Sequence, residues 1–297
     1  MDLAKKLAFA PIFLIFLALF FYLLNPLLKS TDLLFLTDLS NLTQILFLVL
    51  TLVLTSLFFA VFASLASDLK IVLAIGAIAS SLSIILLPLP INFLIAVLIF
   101  ASIFLSYYLL SQKLKSYLTF QPTLLISPTA KHFAATLIIL SSLAYFLSVN
   151  QEIKQNGFKI PDSLLETALK FIPQPQESDL NLPTINSNQL DLLRENSNLL
   201  EQLGLGSGVL DSLPSKTDST QDLIKQTINS QIQSLIKPYL DWIPLILALL
   251  FFITLQSIFF IFSFLISPLI WLTFYLLEKT GYIRFEIEMR EAKKMMV

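Results

Sequence analysis

The chain has 297 residues, of which 56% are hydrophobic and 13% charged, and its 19 basic and 20 acidic side chains leave a net charge of −1. Soluble domains carry about 25% charged residues, so the composition excludes an ordinary soluble enzyme and a disordered chain, and the balanced charge offers no overall basic surface for nucleic acid. The absence of cysteine removes disulfides, thiolate metal sites and cysteine nucleophiles, and the single histidine, His132, removes histidine metal clusters and any His-Glu-x-x-His motif.

A helix needs about 20 apolar residues to cross a hydrocarbon core about 30 Å thick. Leu7 to Leu28, following Lys5 and Lys6, is long enough for one crossing. The run is longer than a secretory signal and no small-residue cleavage site follows it, so it reads as an uncleaved anchor. Leu42 to Ala66 is a second, uncharged span, with Asp68 and Lys70 marking its far end. The stretch from Ile71 to Ser111 is also uncharged and holds enough residues for two crossings. Pro88-Leu89-Pro90 cannot continue a regular helix, which predicts a hairpin of two spans over 71–87 and 91–111. Phe133 to Val149 is a fifth, shorter span.

Residues 150–242 carry 12 acids and 7 bases, together with much of the Asn, Gln and Ser. Three stretches there have helical periodicity. The first opens at Asp162 and places Leu164, Leu165, Ala168, Leu169 and Ile172 on one side. A weaker one runs from Leu192 to Leu203 and is stopped by Gly204. The clearest covers Ser219 to Leu240, opened by the Ser219-x-x-Asp222 capping pattern, with an apolar stripe from Leu223 to Tyr239. Pro238 and Pro244 then bend the chain into the next span.

The uncharged run from Ile243 to Leu277 is long for one crossing and short for two. Trp242 and Trp271 stand about 44 Å apart on a helix, close to the thickness of a bilayer with its headgroups. This favours one crossing that ends near Ser267-Pro268, with 269–277 at the interface; a hairpin is the alternative. The tail Tyr282 to Arg290 alternates Ile283, Phe285, Ile287 and Met289 with charged residues, a strand pattern. Glu286 and Arg290, four apart, support a competing helix.

Lysine and arginine collect in short cytoplasmic loops. With the N-terminus inside, the inner segments hold eleven basic residues, from Lys5 and Lys6 through Lys70, Lys113, Lys115 and Lys131 to the tail, and the short outer loops hold only Lys29. The sequence therefore predicts an all-α, polytopic transmembrane helical bundle of about six spans in the cytoplasmic membrane, with both termini cytoplasmic. Its parts are a five-span region over 1–149, a small helical extracytoplasmic domain over 150–242, a last span over 243–277 and a cytoplasmic tail over 278–297.

Chemistry-bearing groups are few, and each has a plainer reading. Gly204-Leu205-Gly206-Ser207-Gly208 lacks the Lys of a phosphate loop and reads as a helix stop. The spans hold no charged residue of the kind a proton relay needs; Asn25 and Gln256 are polar. Gly76-x-x-x-Ser80 gives the third span a small face for close helix packing. His132 beside Lys131 stands at the start of the fifth span, where a headgroup contact is the natural role. Asp162, Glu166, Glu177 and Asp179 match no calcium loop. No catalytic, cofactor-binding or metal-binding residue emerges. The expectation is a non-catalytic envelope protein whose partners are the bilayer and a protein, or a second copy, met through 219–240. The alternative is a channel or carrier for a neutral or lipidic substrate.

The phrases Gly157-Phe-Lys-Ile-Pro-Asp-Ser-Leu164, Ile236-Lys-Pro-Tyr-Leu-Asp-Trp-Ile-Pro244 and Thr280 to Arg290 resemble uncharacterised multi-spanning inner-membrane proteins of small-genome bacteria. That resemblance implies a bacterial inner membrane and no particular activity.

Overall fold

Apolar runs this long satisfy their backbone polar groups internally, and in lipid the helix does so within one segment. The computed structural model describes residues 6–28, 39–66, 68–87, 92–117, 120–156 and 237–283, which hold seven α-helices and no strand. They are α1 (Ala10–Leu28), α2 (Leu39–Ala66), α3 (Leu69–Leu86), α4 (Asn92–Ser116), α5 (Pro122–Asn156), α6 (Ile243–Ser263) and α7 (Ile266–Lys279). The first six are long and apolar enough to cross a membrane. The chain is thus an all-α, multi-pass bundle, as its hydropathy predicts. The Pro88-Leu89-Pro90 turn, the three helices expected within 150–242 and the alternating tail beyond Ile283 lie outside the described residues. At the edge of that segment Lys237–Tyr239 forms a 3-10 turn in place of the α-helix expected to reach Leu240.

Two elements differ from the sequence reading. The fifth helix is 35 residues long and runs from Pro122 to Asn156, well past both ends of the uncharged stretch Phe133 to Val149. Hydropathy sees only the uncharged stretch, whereas Pro128, Lys131, His132, Glu152 and Lys154 are all accommodated in the helix. At 1.5 Å per residue it is roughly 52 Å long, well beyond a hydrocarbon core of about 30 Å.

The second difference lies in 243–277. Here the helix breaks at Phe264 and Leu265, a few residues before the Ser267-Pro268 boundary read from the sequence. A proline ring acts on the carbonyl four residues earlier, and for Pro268 that residue is Phe264. Both break residues keep right-handed helical dihedrals (φ −69°, ψ −23° and φ −71°, ψ −23°), and Leu265 N–H bonds Phe262 O at 3.0 Å, so the chain does not reverse. Phe251 meets Tyr145 (ring centroids 4.8 Å), the Ser267 and Ser127 hydroxyls bond at 2.8 Å, and Phe274 meets Phe120 (5.6 Å). Helices α6 and α7 therefore both run antiparallel to α5, and the segment expected at the interface lies along the opening turns of α5. The hairpin is excluded: with 14 residues α7 is too short to cross. It ends in a Schellman turn, with Gly281 at φ 70° and Tyr282 N–H bonded to Leu277 O at 3.0 Å.

Helices α2 and α5 form the centre. α2 touches all the others, and 72% of its most apolar window is buried, against 22% for α3. Phe13, Phe59, Phe62 and Phe133 are fully buried and bind α1, α2 and α5 together, with ring centroids from 4.1 Å (Phe59–Phe133) to 6.3 Å (Phe13–Phe133). The small-residue face predicted on the third span packs against α4. A Cβ added at Gly76 would stand 3.3 Å from Ile103 Cγ2 and 3.5 Å from Phe100.

Candidate functional site

Successive crossings return the start of α1, the α2–α3 turn, the end of α4 and the start of α5 to one end of the bundle. Lys6, Lys70, Lys113, Lys115 and Lys131 stand there, and the antiparallel run of α7 brings Lys279 to the same end. The other end carries Glu152, Lys154 and Asp241.

At the lysine-rich end a cavity of about 800 Å³ opens between the segment just before α1, the α2–α3 turn and α4. From α4 it is lined by Phe104, Tyr107, Tyr108, Ser111, Gln112 and Lys115. Those positions are spaced i, i+3, i+4, i+7, i+8 and i+11, one face of an α-helix. The face is graded along its roughly 16 Å, from phenylalanine through tyrosine to hydroxyl, amide and finally ammonium. Phe104 and Tyr108 stack at 6.4 Å, and Tyr107 is nearly buried. Lys6, Asp68 and Leu69 complete the lining.

Asp68 is held by its own backbone role. It is the N-cap of α3 (φ −119°, ψ 120°), and its Oδ1 accepts the Lys70 backbone N–H at 3.0 Å. Among the described residues it forms no ion pair, so neither Lys6 nor Lys115 is neutralised by it. The cavity thus presents two cations and one anion that the described part of the protein leaves unpaired.

Elsewhere in the spans, polar groups are mostly closed upon their own helix. Thr51, Thr55 and Ser56 of α2 donate to Leu48 O, Thr51 O and Val53 O, and Ser141 and Ser142 of α5 donate to Leu137 O and Ile138 O, all at 2.7–2.9 Å. Each of these hydroxyls spends its one proton within its own helix. Among the described residues, Ser102, Ser106 and Thr129 are buried without a partner for the hydroxyl, as is Asn25 Oδ1.

The residues singled out in the sequence are not brought together. His132 is exposed on the third turn of α5 instead of at its start, Lys131 is half-buried beside it, and Gln256 is half-buried on α6. The Gly204–Gly208 cluster and the carboxylates Asp162, Glu166, Glu177 and Asp179 fall outside the described residues. Among the described residues no group of three His, Asp or Glu side chains is placed to hold a metal. The sequence reading missed the α4 face, although its spacing is visible in Phe104 to Lys115 once the helix is extended past Ser111. It also missed that Leu-Ile-Ser-Pro occurs twice, at 125–128 and 265–268, and that the two copies meet: Ile126 and Ile266 are fully buried and Ser127 bonds Ser267.

No protein-family model, curated protein or solved structure matches the chain.

Proposed function

We propose that the protein binds a lipid-like amphiphile at its lysine-rich end, with the headgroup at Lys6 and Lys115 and the chain along Phe104 and Leu69. The observation that carries this is the graded face of α4. Its order, apolar, then aromatic-hydroxyl, then polar, then cationic, follows the order of groups along an amphiphile from its chain to its head. Tyrosine favours the same depth, where an apolar ring and a wet hydroxyl are both satisfied. A lysine near an anionic membrane surface contributes about 1 kcal/mol of attraction to such headgroups.

The role is one of holding or handing over a lipid, a carrier of a lipidic substrate, with no covalent step. A hydroxyl-lined path for a neutral solute draws no support from serines and threonines bonded to their own helices. The partner stripe expected over 219–240 lies outside the described residues except for its end at 237–240, so the cavity and not the segment 150–242 supports the reading.

The lysine-rich end faces the cytoplasm in this proposal, as the positive-inside rule favours, in a bacterial inner membrane. Single cysteines at Ser215 and at Met296, labelled in intact cells with an impermeant maleimide, check the orientation: label at 215 alone supports it. The binding itself is tested by native mass spectrometry of protein released from vesicles of mixed phospholipids. The wild type retains lipid and a Lys6→Ala/Lys115→Ala variant loses it; equal retention by both would remove the proposal.

A further inference from the structure

We infer, building on the amphiphile reading, that the headgroup carries both a phosphate and a protonated amine. The cavity lining holds Lys6 and Lys115 together with Asp68, and among the described residues Asp68 pairs with no lysine. Its Oδ1 is occupied by the Lys70 N–H, while Oδ2 has no donor among the described residues. Capping does not demand this charge, because asparagine and serine cap a helix as well as aspartate does. A carboxylate in the lining of a cavity repels a purely anionic headgroup, even where both are exposed. A zwitterion of the ethanolamine-phosphate kind removes the conflict. Its phosphate takes the two ammonium groups, and its own ammonium takes Asp68. The exposed rings of Phe104 and Tyr108, stacked on α4 in the same lining, offer further faces to a cation.

The full-length protein is reconstituted in vesicles with equal amounts of ethanolamine and glycerol phosphodiester lipids of identical chains, and the lipid retained on release is weighed by native mass spectrometry. Wild type is expected to retain the ethanolamine lipid several-fold over the glycerol lipid. Asp68→Asn keeps an oxygen for the Lys70 N–H, so α3 stays capped, and the preference is expected to disappear or invert. A glycerol preference in wild type, or a ratio unmoved by Asp68→Asn, overturns the inference while lysine-dependent retention leaves the amphiphile reading standing. Retention of both lipids unaffected by Lys6→Ala/Lys115→Ala overturns that reading itself. Soluble phosphoethanolamine, added at the lipid's concentration, is expected not to displace it; displacement would show that the site takes a free headgroup, against a lipid ligand.

Discussion

Around Phe133, helices α1, α2 and α5 meet in four phenylalanine rings that are fully buried and touch one another. Between the segment just before α1, the α2–α3 turn and α4, by contrast, three charged side chains line about 800 Å³ of space and do not pair with each other. In the first region every group finds its complement inside the protein, which is how a structural core is recognised. In the second the complements are missing from the described protein, and a ligand can supply them. The contrast separates residues that hold the bundle together from residues that face something else.

That contrast is most open to attack at the core. Phe133→Ala should cost about 3 kcal/mol or more, the range for removing a buried phenylalanine and leaving a cavity, read as a lowered thermal midpoint in detergent. An unchanged midpoint would mean the four-ring cluster holds nothing. Gly76→Leu should come next, at about 1–3 kcal/mol for overpacking against Ile103 and Phe100, whereas Gly76→Ala asks the neighbour at 3.3 Å to give only slightly. Asp68→Ala should remove about 1 kcal/mol through the lost cap of α3, and Asp68→Asn should restore it; failure of asparagine to restore it would assign the effect to charge. Ser127→Ala, tested in a double-mutant cycle with Ser267→Ala, should show coupling of about 0.6 kcal/mol, the average for hydrogen bonds between membrane helices. At the cavity the expected effect on stability is smallest: Lys6→Ala/Lys115→Ala should stay within about 0.5 kcal/mol while lipid retention falls. A large destabilisation there would move the lysines into the structural class.

Much of the architecture was legible because lipid imposes a single rule. A long uncharged run must be a helix, and the bundle of spans follows from counting such runs. What escaped the count was helix beyond the uncharged run: α5 continues through Pro128, Lys131 and His132, and α4 continues from Ser111 to Ser116. Charge ends an apolar run without ending a helix, since lysine and glutamate are good helix formers. That is also why the α4 face was missed, for half of it lies at or past the edge of its run. The break in 243–277 was placed a few residues late because a proline acts on the carbonyl of residue i−4, not at its own position. The exposed His132 illustrates the opposite lesson: a rare residue type draws notice in a sequence, but it is not among the residues that line the cavity at the lysine-rich end.

The position of an amphiphile's headgroup is what distinguishes a binding cavity from a lipid-bathed surface, and photocrosslinking finds that position directly. A phospholipid with a diazirine in its headgroup is incorporated into vesicles with the full-length protein, and the crosslinked peptides are mapped after irradiation. A headgroup held in the cavity predicts crosslinks on residues 68–70 and 104–115 that weaken in the Lys6→Ala/Lys115→Ala variant. Crosslinks spread evenly over the lipid-facing helices, or gathered along Trp271 and Tyr275 of α7 and indifferent to the two lysines, would contradict it.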